Sequence, residues 1–121
     1  VADVMNHSPF PELSGALRRR RQELTPAQSD AFKAFSAAVF AEGALSVKMK
    51  ELIAVAVAHV TQCPYCIHGH TERALHVGAS EQEIMEAIWV AAEMRAGGAY
   101  AHSNLALHTM ARAHKPPPQD A

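Results

Sequence analysis

Several features are scarce in this chain of 121 residues, and each argues against a class of protein. Aromatic residues make up only 6% of the chain, although 49% of it is hydrophobic. Alanine accounts for much of the difference, which favours closely packed helices over a sandwich of sheets. Eleven basic and twelve acidic side chains give a formal charge of -1. The excess positive charge that draws a protein to nucleic acid is therefore missing.

Long apolar runs are also missing. No stretch approaches the roughly 20 consecutive apolar residues of a membrane span, and the opening VADVMNHSPF lacks the basic-then-apolar layout of a signal peptide. We therefore expect a cytoplasmic protein with no membrane partner and no nucleic-acid partner. The chain has only two cysteines, three positions apart. In a reducing compartment such a pair is more typical of catalysis or metal binding than of a structural disulfide.

The length corresponds to one domain, and start and stop signals predict five to six helices within it. Proline at a first helical position, capping boxes and apolar residues at helical spacing are the signals used. They predict helices at 11–23, 25–43, 47–61, 63–77 and 80–94, and a last helix at 99–113. Residues 1–8 and 115–121 are expected to be irregular tails, which leaves a core of about 25–113.

Particular residues define these boundaries. Four signals mark predicted helix starts. They are Pro11 in the first turn of the first helix, Thr25 with Gln28 as a capping box, Ser46 as an N-cap, and Ser80 with Glu83 as a second capping box. Gly78 ends one helix, and Gly97-Gly98 is expected to interrupt another. Residues 53–58 alternate as a strand would, but the apolar run is long and alanine-rich, which favours a helix. The predicted fold class is all-α, with antiparallel helices.

The segment Cys63-Pro64-Tyr65-Cys66 is the most informative motif. Pro64 at the first helical position makes Cys63 the N-cap and Cys66 the third helical residue. Both sulfurs then lie at the positive end of the helix dipole, which favours the thiolate form that a nucleophile needs. The spacing lets either sulfur attack a disulfide formed on the other. By this reasoning alone, Cys63 is favoured as the thiolate of low pKa, because an N-cap side chain accepts first-turn N–H bonds.

Two further residues are candidates for proton transfer. At 100° per residue, His70 lies about 20° from Cys63 and about 40° from Cys66, one turn further along the same helix face. It is therefore a candidate general base for the sulfurs. Glu51 falls in a predicted helix with almost no polar face. Its carboxylate must therefore be exposed at an edge or buried with a partner.

Other readings of the cysteine motif fit the sequence less well. Glutaredoxins carry the same tetrapeptide, but they need a βαβ framework, and no later strand is predicted here. A c-type haem needs histidine where Ile67 stands. Zinc needs four ligands, and a Cys63/Cys66/His68/His70 set would be crowded on one helix. We therefore expect no metal and no cofactor.

The stretch from Glu51 through Cys63, Cys66 and His70 to the helix containing Trp89 resembles the alkyl hydroperoxidase D (AhpD) core of the carboxymuconolactone decarboxylase (CMD) superfamily. The resemblance covers about residues 36–112. Its specific part is a glutamate twelve residues before Cys-x-x-Cys and a histidine four residues after the second cysteine. The chain departs from the best-characterised peroxidases of that family immediately before Cys66, where they have histidine and this chain has Tyr65.

The resemblance implies an AhpD-like helical bundle that forms homo-oligomers, as trimers or hexamers, and reduces hydroperoxides or a partner's disulfide with electrons from a dithiol donor. It implies that Cys66 forms the sulfenic acid, that Cys63 resolves it as a disulfide, and that Glu51 and His70 relay protons. Two alternatives stay open. A lactone decarboxylase would need a general acid or base but no thiol pair, and a non-catalytic oligomeric protein would hold a metal or ligand.

Overall fold

A computed structural model describes residues 9–12 and 14–116, and within them the chain forms five α-helices and no strand. The helices are α1 (Gly15–Leu24), α2 (Pro26–Phe40), α3 (Val47–Thr61), α4 (Pro64–His76) and α5 (Glu81–Ala113). The predicted all-α class is confirmed, and residues 53–58 are helical. The predicted tail at 1–8 lies outside the described residues, as does all of the predicted tail at 115–121 except residues 115 and 116, which are not helical.

Helix α3 is the centre of the fold, because both α4 and α5 pack along it. The core consists of small and branched side chains, with Val55 and Ala74 fully buried and Ala79 and Ile84 nearly so. Small residues let the helix axes approach closely, which agrees with the alanine-rich composition. Helix α1 packs against α2 alone among the described helices, and α2 in turn adjoins α3.

Side-chain caps begin the helices that carry the core. Ser46 Oγ accepts from Met49 N–H at 3.1 Å. Ser80 Oγ accepts from Glu83 N–H at 3.0 Å while Glu83 Oε1 accepts from Ser80 N–H at 2.9 Å, so this predicted capping box is confirmed. Lys48 Nζ lies 2.8 Å from Glu83 Oε2 and ties α3 to the start of α5. That hydrogen bond lowers the pKa of Glu83.

The predicted N-terminus of α1 is wrong. Helix α1 begins after Ser14, whose Oγ accepts from Leu17 N–H at 3.2 Å, and Pro11 lies before the helix. Helix α2 begins at Pro26 with Thr25 as its N-cap, as predicted, but without the expected capping box. Because α1 and α2 follow each other directly, Thr25 also ends α1, and its Oγ1 donates to Arg21 O at 3.0 Å.

The helix ends also differ from prediction in two places. Helix α2 stops at Phe40 rather than near Gly43. Gly97 and Gly98 do not interrupt the helix, since α5 runs unbroken for 33 residues. Glycine in a helix interior costs about 1 kcal/mol relative to alanine but does not prevent helical geometry. By contrast, Gly78 has a positive φ of +94° and lies just after the end of α4, at the position predicted to stop the helix.

Many large apolar side chains remain exposed. The exposed fraction is 83% for Tyr100, 69% for Trp89, 68% for Phe32 and 67% for Leu105. Every residue from 99 to 116 is exposed. Among the described residues, no helix combines the length and apolarity that would let it cross a membrane. The outer faces of α2 and α5 are therefore apolar surfaces that one copy of the chain does not cover.

Candidate active site

The two cysteines lie at the N-terminus of α4, as predicted. Cys63 is the N-cap, Pro64 follows it in the first turn, and Cys63 Sγ accepts from Cys66 N–H at 3.2 Å. Both thiols are free. The link to α3 is very short, because Gln62 takes a left-handed conformation at φ 58° and Cys63 N–H donates to Ala58 O at 3.2 Å. This turn holds the cysteine pair against the end of the central helix.

The two sulfurs have opposite electrostatic environments. A hydrogen bond from the Cys66 thiol, followed by the Cys66 backbone N–H, lowers the pKa of Cys63. Donating that hydrogen bond to Cys63, together with burial, raises the pKa of Cys66, although the nearby Arg73 charge acts in the opposite direction. Of the two thiols, Cys63 is therefore the one that loses its proton more readily. This agrees with the reasoning that favoured an N-cap cysteine as the thiolate.

Glu51 and His70 form a hydrogen-bonded pair between α3 and α4. Glu51 is buried, with 4% of its surface exposed, and its Oε2 lies 2.7 Å from His70 Nδ1. Of the two predicted environments for Glu51, burial with a partner is the one that the structure contains. A carboxylate accepts hydrogen bonds, so Nδ1 carries the proton and Nε2 is the ring nitrogen that is free to accept one. Arg73 Nη1 lies 3.4 Å from the same Nδ1, but a nitrogen that donates to Glu51 cannot accept from Arg73.

The end of α2 contributes an aromatic ring to the site. The Phe40 ring stacks on the His70 imidazole, with ring centroids 5.1 Å apart and an interplanar angle of 22°. Lys50, from the first turn of α3, donates from Nζ to Val39 O at 2.8 Å and to Ala41 O at 2.5 Å. These two carbonyls flank Phe40, so Lys50 anchors the backbone on either side of the residue whose ring covers His70.

A cavity of about 550 Å³ lies between α2, α3 and α4. Cys66 and His70 line it together with Phe40 and Lys50, and most of the remaining wall is apolar, including Ile53 and Val57. Cys63 does not contribute to the wall. A molecule in the cavity would therefore meet Cys66 and His70 on a largely apolar wall.

Two other histidines of the region have separate partners. His59 Nδ1 lies 2.7 Å from Val55 O within α3, and His68 Nε2 lies 3.7 Å from Glu72 Oε1 on the exposed side of α4. Neither lines the cavity. Within residues 9–12 and 14–116, no group of three or more histidine, cysteine or acidic side chains is arranged to hold a metal ion.

The structure brings the four predicted site residues into two contacting pairs, Glu51 with His70 and Cys63 with Cys66. The sequence reasoning missed three residues of the site, Phe40, Lys50 and Arg73. Arg73 lies three residues after His70, a spacing that places it next to that histidine on the helix. The contacts of Phe40 and Lys50 join separate helices, so no local spacing signals them.

The fold and this site define an all-α protein with a dithiol at a helix N-terminus and a buried glutamate–histidine pair beside it. Residues 26–109 match the model of the carboxymuconolactone decarboxylase family. The chain belongs to that family, as the motif spacing indicated.

Relatives with similar sequence or structure support the assignment. Uncharacterized protein 4 in the cox locus of Paracoccus denitrificans is 68% identical over 78 residues, which are 64% of this chain and 70% of that protein. A carboxymuconolactone decarboxylase family protein of Legionella pneumophila, solved in its apo form, superposes with a TM-score of 0.63 at 32% identity, over 65% of this chain and 70% of that one. A Thermotoga maritima member of the family superposes with a TM-score of 0.55 at 34% identity, over 63% and 68% of the two chains. A role in an antioxidative response has been suggested for it.

The opposite pKa shifts of the two thiols predict a reciprocal effect of removing either one. In the intact protein, Cys63 should react with iodoacetamide at lower pH than Cys66. Cys66→Ala removes the hydrogen bond that lowers the pKa of Cys63, so Cys63 should then need higher pH. Cys63→Ala removes the main cause that raises the pKa of Cys66, so Cys66 should react at lower pH. Mass spectrometry of the labelled peptides measures both profiles, and shifts of the same sign in the two variants would contradict the assignment.

Proposed function

We propose that this protein is a cytoplasmic thiol–disulfide oxidoreductase that reduces a hydroperoxide, or a partner's disulfide, through the Cys63/Cys66 pair. One observation carries the proposal. Cys66 and the Glu51-bound His70 line the same cavity, while Cys63, the thiol whose pKa is lowered, accepts a hydrogen bond from Cys66 N–H. One site thus holds a nucleophile, a base with a free nitrogen and a second thiol that can resolve the oxidised first one.

The first step of the proposed reaction takes place in the cavity. His70 Nε2 accepts the proton of the Cys66 thiol, and the resulting thiolate attacks the outer oxygen of the hydroperoxide. The S–O bond forms as the O–O bond breaks, and the departing alkoxide takes the proton from His70 and leaves as an alcohol. Cys66 is now a sulfenic acid, oxidised by two electrons, and the peroxide has been reduced by the same two electrons.

The second step closes the disulfide. The Cys63 thiolate attacks the sulfur of the sulfenic acid, and the hydroxide that leaves becomes water with a proton from solvent. The Cys63–Cys66 disulfide is then reduced by an external dithiol, which is itself oxidised to a disulfide. A partner's disulfide can replace the peroxide as oxidant, because the Cys66 thiolate would attack it in the same way and Cys63 would resolve the mixed disulfide.

The antioxidative role suggested for the Thermotoga maritima relative supports this reading over other activities of the family. The lactone decarboxylase activity that gives the family its name is the second candidate. Decarboxylation would use His70 and Glu51 without a thiol. The replacement of both cysteines by serine therefore separates the two, since it should abolish peroxide reduction and leave a decarboxylase unaffected. A role in holding a metal would instead predict stoichiometric metal in the purified protein.

The proposed oxidant chemistry can be tested by counting thiols. The chain contains only two cysteines, so one equivalent of an organic hydroperoxide should reduce the titratable thiols from two to none. Mass spectrometry should then show a Cys63–Cys66 disulfide that a dithiol reverses. Cys66→Ser should lose turnover, and Cys63→Ser should stop at the oxidised Cys66. Full turnover by Cys66→Ser would show that the proposal is wrong.

The proton relay predicts strong coupling between Glu51 and His70. Glu51→Gln and His70→Gln should each slow the reaction of Cys66 with a hydroperoxide or an alkylating probe, by on the order of 10²-fold for turnover. Each should also move the reaction to higher pH. The double variant should lose much less than the two single losses combined, because both act through one imidazole. Glu72→Gln and His68→Gln, in the exposed pair of the same helix, are matched controls that should have no effect. Additive losses would identify Glu51 and His70 as independent structural residues.

We also propose that the protein is a homo-oligomer, a trimer or a hexamer. The support is the apolar surface of α2 and α5, where Phe32, Trp89 and Leu105 are each more than 60% exposed. Burial of such surface between subunits contributes about 25 cal/mol for each square ångström of apolar area. Light scattering at micromolar concentration should therefore give a mass of three or six chains, and a mass of one chain would contradict the proposal.

A further inference from the structure

We propose that Phe40 and Lys50 are positioning residues for His70. Lys50 holds the last turn of α2 through hydrogen bonds to its carbonyls, and the Phe40 ring in that turn sets the orientation of the imidazole. The inference rests on the proposed proton transfer from Cys66 to His70. It adds two residues to the site that the cysteine motif and its spacing do not include.

The stacking of Phe40 fixes a degree of freedom that Glu51 leaves open. A single hydrogen bond at Nδ1 fixes one atom of the imidazole, but the ring can still rotate about that contact. The Phe40 ring lies nearly parallel to the imidazole, at 22° and 5.1 Å between centroids, and therefore fixes its plane. With Nδ1 and the ring plane both fixed, the direction of Nε2 is fixed too. The electron-rich face of Phe40 also attracts the positive charge that His70 acquires when it takes a proton.

The stacking needs support, because α2 is weakly attached to the rest of the fold. None of its residues is buried. Phe40 is its last residue, in the turn where helices fray and the final carbonyls have no partners within the helix. Lys50 supplies these partners, since its Nζ donates to Val39 O and Ala41 O. Its positive charge at the C-terminus of α2 is also favourable for the helix dipole.

The positions of Lys50 and Glu51 explain how one helix serves both contacts. The two residues are adjacent at the start of α3. Glu51 extends to the edge of the His70 ring in α4, and Lys50 extends to the end of α2, whose Phe40 covers the face of that ring. Helix α3 thus determines the imidazole orientation by two routes, one direct and one through Phe40.

The test is the pH profile of Cys66 alkylation in the full chain, followed by mass spectrometry of the labelled peptide. Phe40→Leu should slow the labelling of Cys66 near neutral pH by about threefold to tenfold and move the profile to higher pH. Phe40→Tyr keeps the aromatic face and should behave like the parent protein. Phe35→Leu, in the same helix with a ring that is 64% exposed, is the matched control and should leave the profile unchanged.

Lys50→Met should shift the Cys66 profile in the same direction as Phe40→Leu, and it decides the question if Phe40→Leu does not fold. Its matched control is Lys48→Met, which removes a lysine of the same helix that pairs with Glu83 instead. A general loss of stability would lower the unfolding temperature without moving a pH profile, so thermal unfolding is measured beside it.

The same assay tests the proton relay and the positioning of His70 separately. If His70→Gln leaves the Cys66 profile unchanged, the relay itself is wrong. If His70→Gln shifts the profile while Phe40→Leu and Lys50→Met do not, the relay stands and the positioning inference is overturned. The inference is also overturned if Phe35→Leu shifts the profile as far as Phe40→Leu. The expected result is a shift in His70→Gln, Phe40→Leu and Lys50→Met alone.

Discussion

The hydrogen bond between the buried carboxylate of Glu51 and His70 Nδ1 is the constraint on which the site depends. A buried carboxylate without a partner would cost several kcal/mol, so α3 and α4 must keep the register that joins the two side chains. The left-handed Gln62 and the hydrogen bond from Cys63 N–H to Ala58 O set that register. Since the same turn makes Cys63 the N-cap of α4, the cysteine pair and the histidine are positioned by one local structure.

The difference between the two sulfurs explains why a dithiol needs a base beside it. The helix N-terminus favours a thiolate, but the two thiols are hydrogen-bonded to each other, so the pKa of Cys63 falls while that of Cys66 rises. The cavity nevertheless exposes Cys66, which is the sulfur with the higher pKa. In the proposed reaction His70 removes this proton, so the histidine is needed at the sulfur that meets the oxidant. The sulfur with the lowered pKa, Cys63, is then the one that closes the disulfide.

The parts of this structure that the sequence predicts are those decided by neighbours along the chain. Ser46, Cys63 with Pro64, and the Ser80–Glu83 box begin their helices as expected, because a cap involves residues three apart. Thr25 precedes α2 as expected, but its capping box is absent, because Thr25 also ends α1 and its hydroxyl donates to Arg21 O. The predicted break at Gly97-Gly98 is wrong, because the cost of glycine in a helix is modest. The contact of Glu51 with His70 joins separate helices. Residue spacing could not decide whether Glu51 is exposed or buried with a partner. Only the family resemblance linked Glu51 to the cysteines.

Helix α2 connects the proposed oligomer to the chemistry. It buries none of its residues within one chain, yet its last residue covers the face of His70. Its outer face carries Phe32 and Phe35, which are 68% and 64% exposed. A helix that buries none of its residues would open locally at little cost, and Phe40 would move with it. In the proposed assembly a neighbouring subunit covers this apolar face, so subunit association would also hold Phe40 against the imidazole.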